Sequence, residues 1–185
     1  MAVLKIPRVA LYVFMLLLGY TTVHAQAPEY QIKAAMLANF ALFVGWPATA
    51  YSTPDSPFVA CVFGSNPFGS FLPTELGDRI GSHPTQVREI DTPQDVRGCH
   101  LVFISKSEQS RLEQVLTSLR TGNALIVSDV GDTGQFCRNG GMIALKIEGG
   151  KVRFDLNAKA AAKRGLKINS KLQRLARSTD CGEGK

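Results

Sequence analysis

Three short runs of unbroken apolar residues, at positions 58–63, 101–104 and 124–127, constrain this chain more than any other feature. Each is too short to be a helix buried on all sides, and none alternates with polar residues as a half-wet strand would. Strands of this kind are buried on both faces, which requires a covering layer above and below the sheet. The intervening segments supply that cover. Asn66 and Pro67 sit at the N-cap and first-turn positions of a helix running toward Leu76. Ser105-Lys106-Ser107-Glu108 reads as a capping box and opens a helix whose apolar face is Leu112, Val115, Leu116 and Leu119, with Gly122 placed to end it. Before the first run, Ile32, Met36, Phe40 and Phe43 recur at helical spacing, and Trp46-Pro47 closes that helix. Residues 86–90 form a weaker strand, and 129–134 a loop rich in Gly and Asp.

The last third of the chain changes character. Residues 142–148 and 151–156 alternate apolar and polar side chains around Gly149-Gly150, the pattern of a β-hairpin. Asn157 caps a short Ala-rich helix stopped by Gly165, and a final helix carries Leu172, Leu175 and Ala176. The expected fold is α/β: a largely parallel sheet flanked by helices on both faces, with a C-terminal β-hairpin and two short helices, all in one domain. A length of 185 residues with 45% apolar and 19% charged residues is consistent with one such core.

Lys5 and Arg8 precede an apolar stretch at 9–20, and Val23 and Ala25 place small residues before Gln26, so residues 1–25 read as a cleaved secretory signal peptide. The stretch is shorter than the ~20 residues a membrane span needs. The expected organisation is therefore 1–25 leader, 26–178 α/β domain and 179–185 flexible tail, in an oxidising compartment where disulfides persist. Nucleic acid is not an expected partner there.

Chemistry is sparse. The four Cys lack C-x-x-C spacing, and beyond the leader only His83 and His100 remain. No Gly-x-Ser-x-Gly elbow accompanies any serine, and Gly64-Ser65-Asn66-Pro67-Phe68-Gly69 lacks both the Lys-Ser/Thr of a P-loop and the full dinucleotide fingerprint. Neither an enzyme nor a cofactor or metal is expected. Ser65, Ser105 and Asp129, at the carboxyl ends of the expected parallel strands, line the crevice where α/β sheets commonly hold a small ligand, so a ligand-binding module is one reading of the chain. The other is a protein interface. Lys159, Lys163, Arg164, Lys167, Lys171, Arg174 and Arg177 are seven cations between Asp155 and Asp180 with no acid among them. Such asymmetry attracts acidic surfaces, and Ile143 and Phe154 on the hairpin are the expected apolar anchors beside Lys163, Arg164 and Lys167.

The segment Ile32-Lys33-Ala34-Ala35-Met36-Leu37-Ala38-Asn39-Phe40, continuing to Phe43 and Trp46-Pro47, resembles the opening motif of the YfiR family. In order follow Phe63-Gly64, Pro67-Phe68-Gly69, Cys99-His100-Leu101-Val102-Phe103-Ile104, Gly140-Gly141-Met142-Ile143, Phe154-Asp155-Leu156-Asn157 and residues 165–172. The resemblance implies a periplasmic binding protein that restrains the periplasmic domain of a membrane-bound diguanylate cyclase. It also implies sequestration by an outer-membrane lipoprotein, lowered cyclic di-GMP output and biofilm formation, and a homodimer. Cys61 and Cys99 match family positions that pair. Cys137 matches a position whose usual partner falls where this chain has Ala144, which leaves a Cys137–Cys181 bridge, an intermolecular bridge or two free thiols open.

Overall fold

The computed structural model describes residues 26–181, and the expected signal peptide and the last four residues lie outside the described residues. The chain opens with α1 (Gln26–Phe43), which leads into a short strand, β1 (Val44–Gly45). Next come β2 (Phe58–Phe63), α2 (Phe71–Leu76), β3 (Arg79–Ile80), β4 (His83–Ile90) and β5 (Leu101–Ile104). A 3-10 segment at Lys106–Arg111 leads into α3 (Leu112–Ser118), β6 (Leu125–Ser128), α4 (Thr133–Arg138) and the hairpin of β7 (Ile143–Glu148) and β8 (Lys151–Leu156). The chain closes with α5 (Ala158–Lys163), β9 (Lys167–Ile168) and α6 (Ser170–Leu175).

Seven strands form one sheet in the order β3-β4-β2-β5-β6-β7-β8, and β1 pairs antiparallel with β9 in a separate two-stranded sheet. The five central strands β4, β2, β5, β6 and β7 are parallel, and β3 and β8 add antiparallel edges. Their order is the 2-1-3-4-5 arrangement of a doubly wound sheet, with the switch point between β2 and β5. Every residue of β2, β5 and β6 is buried, as the three apolar runs demand. The sheet is thus mixed rather than purely parallel.

The hairpin is where expectation and structure part. It is not an appendage: Ile143 pairs with Val127 and Ala144 with Ser128, so β7 continues the parallel sheet. Ile143 is fully buried, and Phe154 is buried with its ring edge-on to Phe40 of α1 at 5.1 Å. Neither can be a surface anchor, because the sheet and α1 consume both side chains.

Local signals were partly redirected as well. Asn66 does not cap a helix; its Oδ1 accepts from the Phe68 amide in a tight turn, and α2 begins only at Phe71. Ser105 makes no side-chain cap, and the expected capping box is a 3-10 segment. Asn157 does cap α5, accepting from the Ala160 amide. On α1 the buried stripe runs through Tyr30, Lys33, Ala34, Leu37, Phe40 and Ala41, leaving Ile32 exposed, because alanines let the helix approach α2 closely. Residues 178 and 180 bridge to Asp155 and Asn157, so the expected tail is pinned at least as far as Cys181.

Candidate functional site

The crevice at the switch point is the first place a doubly wound sheet offers a ligand. Here side chains fill most of it, with Ser65 left exposed at its edge. Gly64 ends β2 at φ +85°, and a Cβ there would collide with Ser107 Oγ and the Glu108 side chain. The Ser65 amide donates to Ser107 Oγ at 3.0 Å, and Ser105 is buried. Glu108 is buried too and accepts from Arg111 Nε, an interaction that holds the exposed Arg111 guanidinium above its ordinary pKa.

Asp129, beyond the end of β6, is held through its Oδ2, while its Oδ1 is buried without a hydrogen-bond partner. Ser128 Oγ donates to the Ile104 carbonyl at 2.9 Å and accepts from the Val130 amide at 3.1 Å, which fixes the turn that carries Asp129. The Asp129 carboxylate takes the Lys33 ammonium, and the Tyr30 hydroxyl donates to it at 3.0 Å. Glu29, one helical turn before Lys33, accepts from the same ammonium. Lys33 and the Asp129 side chain are each 1% exposed. Lys106 stands 3.8 Å from Asp129 at the rim. Burial, then the Asp129 charge, raise the pKa of Tyr30 well above its ordinary value, so its proton stays on the hydroxyl that donates. Ser65, Ser105 and Asp129 therefore all lie at the expected end of the sheet, but Ser65 is exposed, Ser105 is buried apart from it, and Asp129 is taken up by a buried ion cluster with Lys33, Glu29 and Tyr30. Lys33, Glu29 and Tyr30 were not singled out from the sequence; the one available signal was the Glu29–Lys33 spacing of four.

The basic stretch divides into three uses. Arg177 forks onto Asp155 through Nε at 2.8 Å and Nη2 at 2.7 Å, with Lys146 at 3.2 Å, and so neutralises a fully buried carboxylate at the start of the pinned tail. Lys163 and Lys167 are exposed, and Lys171 lies over the Phe43 ring at 5.1 Å. Pairing of β1 with β9 brings this face beside the end of α1, where Leu42 is 58% exposed, while Leu175 on α6 is 62% exposed.

Arg164 behaves differently. It is half-buried, its Nη1 is shielded from solvent without a hydrogen-bond partner, and burial lowers its pKa. It lines a cavity of about 600 Å3 together with Arg120, Arg138, Lys159, Lys163 and Asp180. The cavity lies at the amino ends of the parallel strands, since Arg120 precedes β6 and Gly140 precedes β7.

Both cysteine pairs are bridged. Cys61–Cys99 joins β2 to the segment entering β5 with Cα atoms 5.9 Å apart, and Cys137–Cys181 ties the pinned tail to α4 at 5.8 Å. The second bridge forms part of the cavity wall through Cys137. Among the described residues no helix is long and apolar enough to cross a membrane.

Comparison with known structures bears on the fold. A conserved domain protein from Vibrio cholerae O1 biovar El Tor strain N16961 is similar with a TM-score of 0.50 at 9% identity, over 81% of this chain and 60% of that one. The chain thus spans about 60% of the length of that structure. Comparison with protein families bears on identity, for the YfiR/HmsC-like model matches residues 30–177, from the first turns of α1 to the Arg177 that holds Asp155. The chain belongs to the YfiR/HmsC-like family.

Proposed function

We propose that the protein is a periplasmic regulator that binds the periplasmic sensor domain of a membrane-bound diguanylate cyclase and holds it inactive, lowering cyclic di-GMP signalling and biofilm formation. The observation that carries this reading is the family match over residues 30–177. Two disulfides suit an oxidising compartment. Such a regulator acts by differential affinity: it shifts the cyclase only if it binds the inactive conformation more tightly than the active one. A homodimer and an outer-membrane lipoprotein that sequesters the regulator complete the proposal.

The contact surface in this reading is the exposed face of β9 and α6, which carries Lys167, Arg174 and Leu175, with the exposed Lys163 at the end of α5 and Leu42 on α1 beside it. Exposed apolar side chains rimmed by cations suit an acidic protein surface. Ile143 and Phe154 have no place in it, and Arg164 faces the cavity.

The test is co-purification from envelope extracts with the mature chain as bait, alongside cellular cyclic di-GMP. A Lys167→Glu, Arg174→Glu variant, which leaves the cavity cations in place, is expected to keep its thermal midpoint, lose an identifiable membrane cyclase and raise cyclic di-GMP several-fold. Undiminished recovery and repression in that folded variant would remove this surface from the proposal, and failure of wild type to retain any cyclase would remove the proposal itself.

A further inference from the structure

The cavity at the amino ends of β6 and β7 combines three features. At about 600 Å3 it is in the size range of pockets that hold small molecules. Its wall carries Arg120, Arg138, Lys163 and Arg164, none of which has a carboxylate partner among the described residues. Lys159 and the Asp180 carboxylate complete the charged lining. A second hollow of about 390 Å3 shares Arg120, Lys163 and Arg164, so these three cations stand where the two spaces adjoin.

These cations come from three separate elements. Arg120 follows α3, Arg138 ends α4, and Lys163 and Arg164 end α5. Their mutual repulsion is a cost of folding that the single carboxylate of the lining, Asp180, offsets only in part. The cost is greatest at Arg164, whose Nη1 is both buried and unpartnered. A buried guanidinium nitrogen without an acceptor forfeits its hydration. An anion with oxygens facing several ways would satisfy Nη1 and neutralise the neighbouring charges together. Phosphate suits this better than a single carboxylate, because it brings a charge near −2 and three acceptor oxygens, and a guanidinium fork matches its geometry.

We propose that this cavity binds a phosphate-bearing small molecule, with Arg164, Arg120 and Lys163 as its principal contacts. Helix α4, α5 and the tail frame the site, and the Cys137–Cys181 bridge holds Asp180 at its rim. The site is remote from the crevice at the other end of the sheet. It also does not depend on which protein the regulator restrains, so its test uses the purified chain alone.

Inorganic pyrophosphate is the soluble probe, followed by calorimetric titration and thermal shift of the mature protein at fixed ionic strength. Vesicles containing phosphatidylglycerol are the second arm, because a lipid headgroup presents the same chemistry. Arg164→Gln and Arg120→Gln are the test variants, and Lys151→Gln, which removes one exposed charge at the hairpin turn, is the control. Saturable pyrophosphate binding that weakens at least tenfold in both test variants and is retained in Lys151→Gln supports the site. Vesicle binding with the same variant pattern and no pyrophosphate binding assigns the phosphate to a lipid. Binding to neither probe overturns the proposal, as does binding reduced equally in all three variants. Circular dichroism of each variant separates loss of the site from loss of the fold.

Discussion

Lys33 and Arg164 are both cations drawn out of water, at opposite ends of the same sheet, and the protein handles them in opposite ways. Lys33 meets two carboxylates and a tyrosine, and side chains fill most of the carboxyl-end crevice around them. Arg164 keeps an unpartnered nitrogen beside three more cations, and a cavity remains open there. A buried charge that is internally neutralised belongs to the scaffold. One left unbalanced at a cavity belongs to a site that something else completes.

The largest expected effect tests the scaffold half of that contrast. Lys33→Met removes the cation and leaves Asp129 buried without it, so unfolding stability should fall by ~3–5 kcal/mol. Asp129→Leu placed on top of Lys33→Met should recover most of that loss, because the remaining Glu29 side chain is 23% exposed and can reach water. Denaturant midpoints of the three proteins give the answer. A loss under ~1 kcal/mol in the single variant would make this an ordinary surface-grade pair and erase the distinction.

That cluster also marks the limit of what the sequence discloses. The strands at 58–63, 101–104 and 124–127 were legible because burial on both faces leaves an unbroken apolar run. The Cys61–Cys99 bridge followed from the resemblance. Lys33 was not legible, since its partner Asp129 is 96 residues away and a lysine on a helix reads as solvated. The same blindness misplaced the buried face of α1, where small alanines carry the contact and the larger Ile32 faces out. Ile143 and Phe154 misled for a related reason: an alternating hairpin suggests one wet face, yet β7 is drawn into the sheet by pairing with β6. The cavity depends on Arg120 meeting Arg164 through tertiary folding, which no local pattern encodes.

His100 shows a third way of burying a titratable group, by keeping it neutral. Its Nδ1 accepts from the Val59 amide at 3.1 Å, and its ring stacks on Tyr51 at 4.5 Å, with Tyr51 stacked in turn on His83 at 3.6 Å. Burial, the leading cause, lowers its pKa below the ordinary 6.5, and a charge on His83 pushes the same way against the Ala50 carbonyl. The unfolded chain therefore takes up the proton first. The stability this arrangement contributes is complete above pH 6.5 and declines as pH falls toward the folded-state value. Its slope for one proton is at most about 1.4 kcal/mol per pH unit. Thermal midpoints between pH 7.5 and 5 should fall less steeply in His100→Phe than in wild type. Parallel profiles would show that His100 is not what the acid attacks.

The smallest expected effect is the most diagnostic, because its sign opposes the first. Arg164→Met keeps an apolar stem of similar reach for packing, removes the unpartnered nitrogen and relieves repulsion from Arg120, Arg138 and Lys163. In buffer free of multivalent anions the variant should match wild type or exceed it by up to ~1 kcal/mol, since deleting an uncompensated buried charge restores what its desolvation cost. Added salt should narrow the gap by screening the repulsion felt in wild type. A destabilisation comparable to that of Lys33→Met would mean that the guanidinium is a structural cation like the first, and the amino-end cavity would lose its claim to be a site. A neutral or stabilising outcome would instead show a charge kept at the expense of the fold, which is the expected behaviour of a group retained for a ligand.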